Sequence, residues 1–235
     1  MSYLLLSLAA AALPALLLIA HFVKLDRARP EPVGLIGKSV LYGFLAVLPA
    51  AALELGAERL VPAPSGFAGI LFESFCVAAL IEEGVKLYFL RRYLYRRAEF
   101  DEVADGIVYA ICVSLGFAFV ENFLYGYRDL RVLFVRAFTA VPGHAVFSGV
   151  MGYYLGLSKL EPGRGRAWIA GLAWAILLHG LYDLLLMTES LASLLVLPLL
   201  AAGWAALARL FRAARAADEA RVASMSYQRQ EPPIL

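Results

Sequence analysis

The sequence predicts an all-α fold, a polytopic transmembrane helical bundle of about seven spans. Composition, the lengths of the apolar runs and the residues between those runs predict it together. Of 235 residues, 62% are hydrophobic and 17% are charged, and the mean hydropathy is +0.73. A water-soluble domain carries about a quarter charged residues and under half apolar ones. A soluble core of this length has no room for so much apolar surface, whereas a bilayer solvates it. The net charge is +2, and no basic stretch is interleaved with aromatics, so no nucleic acid is expected as a partner. Cys76 and Cys112 lie in apolar runs without CxxC spacing and read as small buried hydrophobes rather than ligands or a disulfide. Met1 to Ala20 lacks a basic leader, so the first span is expected to stay.

The apolar segments run over 2–23, 39–60, 66–90, 106–126, 134–158, 167–188 and 190–210, each near the ~20 residues that cross a bilayer. Pro30, Pro32 and Gly34 mark the first loop, Pro62, Pro64 and Gly66 the second, and Pro162, Gly163 and Gly165 a later one. Only Thr188, Glu189 and Ser190 join the last two spans, which makes them antiparallel neighbours. Residues 1–215 form a single transmembrane domain, and the polar stretch 216–235 is expected to be a disordered cytoplasmic tail.

Most of the 21 basic residues fall in one set of alternating loops, around Lys24, Arg27 and Arg29, then Arg91 to Arg97, then Lys159 to Arg166, and in the C-terminal segment. By the positive-inside rule the N-terminus is outside and the C-terminus cytoplasmic, in a multi-pass cell-membrane protein. Arg128, Arg131 and Arg136 in one outer loop run against that rule.

An ionisable group inside a span costs several kcal/mol unless paired or solvated. The third span carries Glu82-Glu83-x-x-Lys86, the fourth Phe117-x-x-x-Glu121-Asn122, the fifth His144 after Pro142-Gly143, and the sixth His179-x-x-x-Asp183. At 1.5 Å per residue these lie about 12–24 Å from the nearest cytoplasmic boundary, in one slab near mid-membrane. Lys86 shares a helix face with both glutamates. It is expected to neutralise one while the other points elsewhere as a general base. Asp183, one turn from His179, orients that ring or ligates a metal with it. Pro142 is expected to kink the fifth span beside His144.

Other polar residues have plainer readings. Glu54, Glu58 and Glu73 read as structural or snorkelling, and His21 as interfacial. Ser148, Gly152 and Gly156 form a small-residue stripe for close helix packing. Tyr88, Tyr93 and Tyr95 read as an interfacial belt.

The motif series resembles a known family. Glu82-Glu83-x-x-Lys86, Asp105-Gly106-Ile107-Val108-Tyr109, Gly116-Phe117-x-x-x-Glu121-Asn122, His144-x-x-Phe147-Ser148-Gly149 and His179-Gly180-x-Tyr182-Asp183 resemble, in this order, the PrsW-like intramembrane proteases. These are related to the CAAX prenyl-protein protease and abortive-infection group. The resemblance covers about 72–190, within a catalytic core expected at 66–190. It implies an intramembrane endopeptidase whose partners are the lipid bilayer and a single-span membrane protein substrate, an anti-sigma factor among them.

The chemistry expected is hydrolysis by an activated water, since no Gly-x-Ser-x-Gly elbow is present. Glu82, Glu83, His179 and Asn122 are the catalytic candidates: a carboxylate takes the water's proton, and Asn122 donates to the oxyanion. His144, His179, Glu121 and Asp183 are the metal-ligand candidates, a set suited to Zn(2+) or another divalent ion. There is no His-Glu-x-x-His, and a metal-free glutamate–histidine mechanism uses the same residues. An ion-coupled transporter or channel, or a non-catalytic scaffold, is the rival reading.

Overall fold

A computed structural model of the protein describes residues 2–26, 29–127 and 129–228; Arg27, Arg128 and Arg229 lie outside them. Every regular element among the described residues is helical. Apolar segments in lipid have no water to satisfy their backbone, so each closes its hydrogen bonds within itself.

Helices α1 (Ser2–Leu25) and α2 (Val33–Leu60) come first. Leu4, Leu5, Leu13 and Leu17 of α1 and Leu48 and Leu53 of α2 are exposed, the face a bilayer covers. The third segment is a composite. It runs through α3 (Phe67–Phe72), a π-helical stretch Glu73–Ala79, α4 (Leu80–Phe89) and a second π stretch Leu90–Leu94. The first of these wider π stretches ends just before the turn carrying Glu82 and Glu83, a placement typical of functional sites. Six other helical stretches are long and apolar enough to cross a membrane, so with this composite the seven expected segments are all present.

Helix α5 (Val103–Gly126) is the centre of the bundle and packs on α7 (Ala140–Leu160), α2 and α1. From Val103 to Ala118 it is buried on every side, as a helix apolar all round must be. Glycines allow the approach: a Cβ on Gly106 would overlap the Gly152 carbonyl, and one on Gly116 the Val40 carbonyl. The first turn of α5 is fully capped. Asp218 accepts from the backbone N–H of Val103 (2.8 Å) and Ala104 (3.1 Å), while Glu102 and Asp105 form a reciprocal capping box.

A short helix α6 (Leu130–Phe138) precedes α7, and the break between them is at Thr139. The kink expected at Pro142 is therefore displaced. Pro142 lies in the first turn of α7, where its missing N–H would have had no helical partner anyway. Helix α8 (Ala167–Met187) is followed by a 3₁₀ turn, Leu191–Leu195, and by α9 (Val196–Gln228). The sequence reading ends the bundle at 215. The helix instead continues to Gln228, in an alanine-rich stretch anchored by Asp218 on α5. Cys112 is buried as expected, but Cys76, in the first π stretch, is exposed.

Candidate active site

Five helices bring their polar residues to one connected network. From α4, the Lys86 ammonium donates to Glu82 Oε2 (2.9 Å), Glu83 Oε1 (2.8 Å) and Nδ1 of His144 on α7 (3.1 Å). It is fully buried and lies 4.2 Å from the Phe117 ring centroid. The sequence reading has Lys86 satisfy one carboxylate; it satisfies both. Spacings of three and four residues place both acids beside one flexible stem, and an ammonium has three donors.

An ammonium has no acceptor, so His144 Nδ1 accepts and its Nε2–H donates to Glu121 Oε2, 2.7 Å away. Glu121 also pairs with Arg136 of α6 at 2.7 Å. Arg136 donates to Asn122 Oδ1 at 3.1 Å. The Asn122 side chain is buried, and its Nδ2 has no partner among the described residues.

On α8, His179 Nδ1 lies 3.1 Å from Glu83 Oε1, and Nε2 lies 3.3 Å from Asp183 Oδ2 and 3.9 Å from Glu82 Oε2. Phe147 stacks on the His179 ring with centroids 5.1 Å apart and planes inclined 21°. The polar residues singled out within the spans thus form one cluster, each within hydrogen-bond or ion-pair distance of a neighbour in it.

The two glutamates are not equivalent. Glu83 is fully buried with both oxygens engaged, Oε1 by Lys86 and His179 and Oε2 by Ser148 (2.8 Å). Glu82 keeps 10% of its side chain accessible, and its Oε1 makes no hydrogen bond to a described residue.

Three contributors escape sequence reasoning. Ser148 is more than part of a packing stripe: it links Glu83 to Ser114 of α5 (2.9 Å). Arg136, read as an outer-loop charge, closes the Glu121 side of the network. Glu54 of α2, read as structural, is half-buried, feels the charges of Glu82, Glu121 and Lys86, and has a buried Oε1 without a partner among the described residues. A serine in a Ser-x-x-x-Gly stripe gives no sequence signal of such a role. For Glu54 and Arg136 the signal was an ionisable residue near a span, read too conservatively.

Comparison with known proteins agrees with this geometry. The model of the "PrsW family intramembrane metalloprotease" matches residues 31–208.

The chain belongs to the PrsW family.

It is 37% identical to Protease PrsW of Geobacillus kaustophilus over 205 residues, 85% of this chain and 88% of that protein. It is 36% identical to Protease PrsW of Oceanobacillus iheyensis, over 88% of this chain and 95% of the relative. The Bacillus subtilis Protease PrsW is 34% identical, over 81% and 87%. No solved structure matches the chain. The match reaches beyond the motif-bearing 72–190 into α2 and α9. The chain is accordingly a multi-pass intramembrane protease, and the transporter, channel and scaffold readings give way.

The family description names a metal. The donors here fit one: ligand atoms of Glu82, Glu83 and His179 lie within 4.8 Å of one another, as do those of Glu82, Glu121 and His144. Both sets mix carboxylate and imidazole, ligands that suit a divalent transition ion.

Proposed function

We propose that this PrsW-family protease cleaves a membrane-tethered, single-span protein within its transmembrane region, with Glu82 as the general base. What carries the assignment is the asymmetry of the acidic pair. Both Glu83 oxygens are occupied, while Glu82 Oε1 is unengaged and accessible. A base must reach the water whose proton it takes.

Glu83 is a positioning residue that holds Lys86 and His179. Glu82 Oε2 and His179 would hold the ion, for which zinc is the natural candidate given imidazole and carboxylate donors. When bound, it supplies Lewis acidity at the scissile peptide. Glu82 Oε1 accepts the proton of the attacking water and returns it to the leaving amine. Asn122 Nδ2, buried without a partner, donates to the oxyanion. His144, locked between Lys86 and Glu121, keeps Glu121 and Arg136 beside that donor rather than ligating. An anti-sigma factor is the substrate class that the family resemblance implies.

The decisive test is cleavage of a single-span reporter by purified protein in proteoliposomes, with metal content measured in parallel. Glu82→Gln should lose at least ~100-fold in turnover, the scale of one acid–base group, and His179→Ala should lose both turnover and bound metal. Full activity in Glu82→Gln would reject the base assignment. For topology, we propose an outer N-terminus and a cytoplasmic C-terminus. A reporter fused after Leu235 should be active only on the cytoplasmic side.

A further inference from the structure

A second polar cluster lies apart from the active site, where the α1–α2 connection meets the first turn of α5. Asp26 follows α1, Glu31 precedes α2, and Asp105 is in the first turn of α5. Asp105 and Glu121 are separated by sixteen residues of one helix, about 24 Å along its axis. The three acids are 4%, 8% and 0% exposed, and one carboxylate oxygen from each lies within 4.8 Å of the others.

Three buried carboxylates at such a distance repel each other strongly unless something neutralises them. No described basic side chain is in ion-pair contact with any of the three, although the charge of Arg215 reaches Asp26 and that of Lys159 reaches Asp105. Arg29 pairs with Glu102 (2.7 Å), Arg221 with Asp218 (3.6 Å), Arg215 donates to the Leu25 carbonyl (3.2 Å), and Lys159 to the Arg97 carbonyl (2.7 Å). The donors that do reach the cluster are neutral. Asp105 Oδ2 accepts from the backbone N–H of Asp101 and Glu102, and the Tyr109 hydroxyl donates to Glu31 Oε2. Asp26 Oδ2 is buried without a hydrogen-bond partner among the described residues, while a carboxyl–carboxyl hydrogen bond links Glu31 to Asp105. Buried oxygens of that kind call for a ligand.

We propose that Asp26, Glu31 and Asp105 bind a divalent, oxygen-ligated cation of the calcium or magnesium class, separate from the catalytic ion. The donors are carboxylate oxygens alone, with no imidazole or thiolate, which is the hard-ligand set such ions take, water completing the shell. Its effect is mechanical. The cation cross-links the α1–α2 connection to the capped start of the central helix, on which the catalytic network hangs.

The test uses the full chain, purified in detergent, stripped with chelator and titrated with calcium or magnesium chloride. Binding is followed by calorimetry and by thermal unfolding. Stripped wild-type protein should bind one equivalent saturably and unfold about 5 °C higher in excess cation. Asp26→Asn and Glu31→Gln should each weaken binding at least 10-fold, because each removes one charged oxygen ligand and leaves the α5 capping box intact. His179→Ala, which strips the catalytic site, should leave this binding unchanged. The proposal fails if stripped wild-type protein shows no saturable uptake, if both acidic variants bind as wild type does, or if His179→Ala abolishes the effect. The last outcome would place the ion at the active site. Should either acidic variant not fold, the other and the wild-type titration decide.

Discussion

Glu83 and His179 stand 96 positions apart in the chain, yet Glu83 Oε1 lies 3.1 Å from His179 Nδ1. The same oxygen accepts from Lys86, so one atom joins the acidic turn of α4 to the imidazole of α8. In Glu83→Gln the anion facing Lys86 and His179 is lost, and one acceptor becomes an NH₂ donor. Reporter cleavage should fall at least ~100-fold, together with a lower unfolding temperature in detergent. Activity within threefold of wild type would contradict a positioning role.

Lys86 pairs with both glutamates. Removing one member of a buried ion pair costs about 3–5 kcal/mol, because the remaining charge is left uncompensated. Lys86→Met should therefore be strongly destabilised in denaturant or thermal unfolding. Lys86→Met combined with Glu83→Gln should cost clearly less than the sum of the single changes. Additive losses would mean that the two side chains do not interact.

Ser148 donates to Glu83 Oε2 and touches Ser114. Ser148→Ala leaves that oxygen without its donor, at about 1–3 kcal/mol, without adding bulk to the α5–α7 crossing. A loss of stability of that size, with protein still inserted in the membrane, is expected. If Ser148 were only a small packing residue, the alanine variant would unfold as wild type does.

The α5–α7 crossing depends on glycine. In Gly106→Ala the new methyl would meet the Gly152 backbone, which cannot rotate away as a side chain can. Overpacking of this kind costs about 1–3 kcal/mol, and the resulting separation of α5 from α7 should lower reporter cleavage as well. Gly37→Ala is the control: nothing lies within 4 Å of its added Cβ, so it should be neutral or slightly stabilising. Equal unfolding temperatures for the two variants would remove the close approach from the account.

Much of the site was legible before any coordinates, because a bilayer makes buried charge conspicuous. Glu82, Glu83, Glu121, His144, His179 and Asp183 stand out in apolar runs for that reason alone. The same logic failed near the ends of spans, where Glu54 and Arg136 had a ready interfacial explanation. It was blind to Ser148, whose polarity is too slight to demand one. Pro142 misled for a related reason. Its effect depends on whether a helix has already begun, and the break at Thr139 decides that.

By itself the sequence determined that the chain spans a membrane as helices and which residues could do chemistry there, since both follow from the local cost of leaving a backbone or charge unsatisfied in lipid. Only the tertiary structure decided which of the two acids keeps an oxygen free. Whether Glu82 or Glu83 keeps a free oxygen depends on where Lys86, Ser148 and His179 arrive from three different helices. It likewise decided that Asp26, Glu31 and Asp105, from separate segments, bring one oxygen each within 4.8 Å of the others. Contacts of that kind are set by helix packing, which no local pattern encodes.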